Sequence, residues 1–196
     1  AGVSSETPHQ YFQEGLRMSE IRSRFDRSQM IVQAKNNYAN RLADFVLQTV
    51  KDRKKRHKTL QQFFVANDSV TVASEVPVYI KKEDIEHMEN VLKFKVLDGK
   101  EIIVKKRKRD KKDELPEGKA RAAAVRNLPR VLTGHIDLLQ IRNGQIHILD
   151  YKPNAAKEKP IEQLTWYALA LSRLTGLRLY EFKCAWFDEK DYFEFY

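Results

Sequence analysis

GHIDLLQIRNGQIHILDYK, residues 134–152, is the stretch that decides how the chain folds. It lies within two apolar runs, Val131–Ile141 and Gln145–Lys152, that read as strands, and Arg142-Asn143-Gly144 between them reads as the turn of a hairpin. Each run carries one carboxylate where burial is expected: Asp137 inside Ile136-Asp137-Leu138-Leu139, and Asp150 at the end of Ile146-His147-Ile148-Leu149. A carboxylate in such a place is costly unless something pairs with it. Side chains at i and i+2 of a strand share a face, so Asp150 and Lys152 point the same way, and a short hairpin brings Asp137 within reach of them.

Outward from this hairpin, Pro160 suits the first turn of a helix and Gly176 its C-terminal cap. Ile161, Leu164, Ala168, Leu171 and Thr175 keep helical spacing between them. Leu179–Phe187 and Tyr192–Tyr196 read as two further strands around the turn Asp188–Asp191. Upstream, the Val- and Tyr-rich stretch Ser69–Ile80 reads as a strand, and Asp98-Gly99 between Lys93–Leu97 and Glu101–Lys105 reads as a second hairpin. The stretch Lys105–Arg130 is polar and basic and reads as a loop. Asp26 suits the cap of a helix over Arg27–Val50, whose Ile31, Ala34, Tyr38, Leu42, Phe45 and Thr49 recur at three and four. Tyr11–Phe25 is a weaker helical stretch. The order predicts an α/β (α+β) fold: a central mixed β-sheet flanked by helices, with an N-terminal helical portion over 1–60 and a core over 61–196 that carries a basic loop at about 105–130.

Two carboxylates beside one ammonium are what Mg²⁺- or Mn²⁺-assisted phosphodiester hydrolysis requires. The carboxylates supply hard oxygen ligands, the metal polarises a phosphoryl oxygen and lowers the pKa of a water, and the amine orients that water or offsets charge developing on phosphorus. For Asp150 and Lys152 alone, an ion pair that fixes strand register is the competing reading. Asp137 in the adjacent strand and a downstream helix with polar residues on one face weigh against it.

Gly134-His135-Ile136-Asp137 followed by Ile148-Leu149-Asp150-Tyr151-Lys152 resembles the core motif of the PD-(D/E)XK nuclease superfamily. It is most similar to the branch of RecB-type exonuclease domains and the CRISPR-associated nucleases related to them. That branch follows Gly-x-x-Asp and Asp-Tyr-Lys with a helix bearing Gln-x-x-x-Tyr, matched here by Gln163 and Tyr167; the resemblance covers roughly Val131 to Tyr167. It implies a restriction-endonuclease-like core in which Asp137 and Asp150 ligate the metal, the Tyr151 carbonyl completes the shell and Lys152 is the catalytic lysine. Gln163 and Tyr167, on one helical face, would touch water, metal or the scissile strand. Glu75 resembles the acidic residue of the upstream strand, which would be an accessory ligand or help hold the water, with a surface glutamate as the competing reading. Relatives often place a metal-binding histidine on an N-terminal helix, but Arg27–Val50 holds none, so His9 and His57 are candidates only by default and each reads as solvent-exposed. His135 reads as a satisfied strand histidine bordering the site. Pro153 stands where small hydroxyl residues are common. The four-cysteine cluster of some relatives is absent, so no iron–sulfur cluster is expected.

Composition fits this picture. Lys and Arg number 36 against 27 Asp and Glu, a formal net charge of +9, which suits a polyanionic partner because neutralised phosphates release counterions. DNA is the expected partner, joined by a helicase or another nucleic-acid-processing protein. Two basic runs are candidate nucleic-acid contacts: Lys54, Lys55 and Arg56 within Lys51–Lys58, and Lys105, Lys106, Arg107, Lys108 and Arg109. A solvated helix end is the leading alternative for the first run, and a nuclear-import signal or simple solubilising charge stands beside DNA contact for the second. The single cysteine, Cys184, sits in an apolar run and reads as a core thiol. No apolar stretch is long enough for a membrane helix and no secretory signal is apparent, so the expected setting is cytoplasmic, nucleoid-associated or nuclear. The competing function is a DNA-binding subunit with a nuclease-like fold that is inactive or works only within a complex.

Overall fold

The computed structural model describes residues 9–21, 23, 25, 32–93, 96 and 130–196. Among them are the helices α1 (His9–Glu14), α2 (Tyr38–Leu47), α3 (Arg53–Asn67), α4 (Lys82–Asn90) and α5 (Ile161–Thr175). The strands are β1 (Leu16–Arg17), β2 (Gln33–Ala34), β3 (Thr71–Lys81), β4 (Val131–Arg142), β5 (Gln145–Tyr151), β6 (Phe182–Phe187) and β7 (Tyr192–Phe195). All seven strands join one mixed sheet in which β4 is the hub.

β3 runs antiparallel along one side of β4, from Lys81↔Val131 to Thr71↔Gln140. The other side of β4 is shared. β5 pairs antiparallel with Leu138–Arg142, and β1 pairs parallel with Leu132 and Thr133. Gly134–Asp137 therefore lies where β5 has peeled away, and the gap beside it becomes the site. Beyond β5 come β6 in parallel, then β7 and β2 antiparallel.

Strict alternation along β5 and β6 builds two cores. Ile148, Phe182, Cys184 and Trp186 face the first, under α5 with its Leu164, Trp166 and Leu171; Leu149, Tyr151, Ala185 and Phe187 face the second, under α2 and α3 with their Ala39, Ala43, Leu60 and Phe64. β4 breaks the alternation, since Leu132 and Ile136 belong to the first core but Leu138 to the second. β3 matches the slip: Val76, Val78 and Ile80 face the first core, and below them Ala73 packs there too. Both breaks centre on Glu75 and Asp137, and Glu75 has φ +51°, an uncommon and strained conformation for a residue with a Cβ.

The expected mixed sheet with flanking helices is present, and so is the β4–β5 hairpin, with Asn143 and Gly144 at positive φ in its turn. Several boundaries differ. The helix expected over Arg27–Val50 begins at Tyr38, because the Asn37 side chain accepts from the Ala39 N–H and the Asn40 side chain returns the bond to the Asn37 N–H. Gln33–Ala34 before it is strand, paired with β7. In Tyr11–Phe25 the helix is short, and the chain passes at Gly15 into β1 and a 3₁₀ turn over Met18–Glu20. The run Lys51–Lys58 is not a helix end but the start of α3, whose N-terminal N–H of Lys54 is capped by Asp52. Leu179–Glu181 is a 3₁₀ turn, so β6 starts at Phe182. The hairpin expected around Asp98-Gly99 and the basic residues Lys105–Arg109 lie outside the described residues.

Candidate active site

Beside the gap at Gly134–Asp137 opens a cavity of about 390 Å³, whose lining includes His57, Glu75, Asp137, Asp150, Lys152, Gln163 and Tyr167. Six of these seven were read from the sequence, and they come from β3, β4, the end of β5 and α5. The seventh, His57, comes from the first half of α3.

Asp137 and Asp150 are both buried. Asp137 Oδ2 accepts the Tyr151 backbone N–H at 2.9 Å and lies 3.0 Å from His57 Nε2. Asp150 Oδ2 meets Lys152 Nζ at 2.5 Å. Burial, then the charge of Asp137, push the Asp150 carboxyl well above the usual carboxylate range, with Lys152 pulling the other way. Burial works on Asp137 too, but there the hydrogen bonds from His57 and Asp150 outweigh it and keep that carboxyl low. The two buried carboxyls thus pull in opposite directions, an arrangement under electrostatic tension that a divalent cation would relieve.

The three ligand atoms offered by His57, Glu75 and Asp137 lie within 4.8 Å of one another. Glu75 Oε1 also accepts from Gln61 Nε2 at 2.5 Å, so α3 braces this carboxylate with one side chain while offering His57 with another. The Asp137 hydrogen bond raises the His57 pKa, burial opposing it. Two or three carboxylates and one imidazole form a donor set that suits Mg²⁺, Mn²⁺ or a similar ion. The residues present fit a metal.

On α5, Gln163 Nε2 donates to Tyr167 Oη at 2.7 Å, so the two form a unit on the cavity wall rather than separate surface groups. Burial raises the Tyr167 pKa, keeping the phenol neutral. Gly134 explains its own identity: a Cβ there would overlap the Tyr167 ring.

A family comparison matches residues 33–191 to the PD-(D/E)XK nuclease superfamily. The chain belongs to this superfamily. No curated protein and no solved structure gives a significant match. PD-(D/E)XK nucleases are phosphodiester hydrolases that use divalent metals, and the fold and donor set described above agree with that membership.

His57, read from sequence as solvent-exposed, keeps 44% of its side chain accessible yet directs Nε2 into the site. The signal that finds it is the helical face His57, Leu60, Gln61 and Phe64 behind the Asp52 cap, in which only Leu60 and Phe64 are apolar. Tyr151 offers the site its backbone N–H, and its hydroxyl reaches Glu189 at 3.3 Å. Of the basic residues on α3, Lys54 and Lys55 are exposed, whereas Arg56 donates to Val50 O and to Glu189 Oε1 at 3.1 Å. That ties α3 to the β6–β7 turn.

Proposed function

We propose that this PD-(D/E)XK protein hydrolyses phosphodiester bonds in DNA with one or two Mg²⁺ or Mn²⁺ ions, as an exo- or endonuclease of the RecB-like branch. The observation that carries the reading is the convergence of Asp137, Asp150 and Lys152 on one cavity with Glu75 and His57. A divalent ion held there would supply a Lewis acid for the phosphoryl group and an acidified water.

The chain's own residues divide the remaining work. Asp137, with Glu75 and His57, supplies metal ligands, while the Tyr151 N–H fixes which Asp137 oxygen is free to turn toward the ion. Asp150 is the second acidic ligand, and the Tyr151 carbonyl is the backbone one. Lys152, already drawn to Asp150, places its ammonium where negative charge builds on phosphorus and where the attacking water must be oriented. Gln163 and Tyr167 hold the polar wall against which the scissile strand lies. Lys54 and Lys55 on α3 and the basic run Lys105–Arg109 neutralise phosphates further along the strand, whereas Arg56 holds α3 in place. The N-terminal portion over 1–60 brings part of α3 to the core over 61–196, and a helicase or similar protein delivers the substrate.

Incubation with end-labelled linear DNA and with closed circular DNA, each with Mg²⁺, Mn²⁺ or chelator, tests the proposal. Metal-dependent loss of label from the ends marks an exonuclease, and nicking of the circle an endonuclease. Salt-dependent binding without cleavage of either, unrescued by an added helicase, supports the non-catalytic DNA-binding subunit instead.

A further inference from the structure

Besides the acidic cluster, the cavity is lined by residues of the N-terminal segment and carries two aromatic rings that the chemistry above does not use. Along Val131–Leu138 of β4, His135 is the only exposed residue. Phe12 of α1 faces it, with ring centroids 4.9 Å apart and planes tilted by 46°. Both side chains line the cavity. They reach it from independent parts of the chain, and α1 does not need Phe12 as its anchor. Tyr11 already packs edge-on to Tyr79 of β3 at 5.2 Å, and β1 pairs with Leu132 and Thr133. Arg17 of β1, exposed, lines the same cavity.

We propose that Phe12 and His135 form a nucleobase-stacking subsite beside the acidic cluster. The inference rests on the nuclease reading and adds to it a residue pair that grips the base of the nucleotide next to the scissile phosphate. The spacing fits. His135 and Asp137 are two residues apart on a strand, roughly 6.6 Å at 3.3 Å per residue, close to one step of an extended polynucleotide. Two rings open to the cavity present π faces that any base can cover, so the subsite tolerates any sequence but needs an unstacked base. Arg17 supplies a cation for the adjoining phosphate.

The test compares a short oligothymidylate with a fully abasic strand of the same length, which keeps every phosphate and loses every base. Wild-type protein cleaves the base-bearing strand more efficiently, on the order of tenfold in kcat/KM through KM. Phe12→Leu and His135→Asn, which keep bulk and polarity respectively, bring that preference down toward one and leave cleavage of the abasic strand as it was. Equal losses on both strands would make the pair a packing contact only, and an unchanged preference in both variants would also overturn the subsite. If wild-type protein cleaves neither strand, the nuclease reading fails on its own. Fluorescence anisotropy of the two labelled strands in chelator then decides the subsite separately: a wild-type preference that both variants abolish supports it, and equal binding contradicts it.

Discussion

At the residue scale the account turns on one ammonium and one missing methyl. Lys152 touches Asp150 and lines the cavity beside Asp137. Lys152→Ala should lower kcat by about 10²–10³ with little change in KM, the range for losing one preorganised group aimed at developing charge. A loss confined to KM would move Lys152 from the chemistry to substrate binding. Gly134→Ala should damage activity and stability together, since the new Cβ needs the space of the Tyr167 ring. Pairing it with Tyr167→Ala, which vacates that space, should recover part of the lost stability, read as Tm, and no recovery would refute the steric account. The sequence announces Lys152 because buried acids break the strand pattern beside it, whereas Gly134 stands out only within the motif that resembles the superfamily's core. It offers His57 only by default, since a histidine within a run of lysines and arginines looks like solvated charge until Asp52 is seen to start a helix there.

At the element scale, what was legible followed the strength of the apolar pattern. β4, β5 and α5 bury continuous or strictly periodic apolar residues, and their expected and observed bounds nearly coincide. α3 buries only Leu60, Gln61 and Phe64, and α4 only Ile85 and Met88, too few for periodicity to reveal either helix. β5 also carries a titration that belongs to its neighbours rather than to the site. His147 is buried on β5 between Gln140 and Lys183, its partners in the ladders with β4 and β6. Burial first, then the charges of Lys183 and Arg142, push its pKa down to about 4. The folded chain keeps this imidazole neutral while the unfolded chain protonates it near pH 6.5, so its contribution is intact above that pH and is lost as pH falls toward 4. His147→Gln should flatten the pH dependence of denaturant-measured stability between pH 6.5 and 4. Identical slopes for the two proteins would show that His147 does not titrate this way.

At the scale of the whole molecule, the site exists because β5 leaves β4 at Leu138 and α3 closes over the gap. Residue 60 falls inside α3, where Leu60 and Phe64 join a core with Leu138, Leu149 and Phe187, and the Phe64 and Phe187 rings lie 5.9 Å apart. Phe64→Ala should therefore cost about 3–5 kcal/mol, seen as a lower midpoint in urea, and a cost under about 1 kcal/mol would mean that α3 docks weakly. The convergence of Asp137, Asp150 and Lys152 is legible along the chain, but the closure by α3 is not, because that helix docks through the packing of Leu60 and Phe64 rather than through a sequence motif. No described helix is long and apolar enough to cross a membrane. The central claim is that the acids of β4 and β5 serve a divalent ion in phosphodiester hydrolysis, and Mn²⁺-dependent DNA cleavage by wild type and Asp150→Ala, purified side by side, tests it most directly. The account predicts cleavage that appears with Mn²⁺, disappears with chelator and falls at least about 10²-fold in the variant; a variant that cleaves as fast as wild type would contradict it.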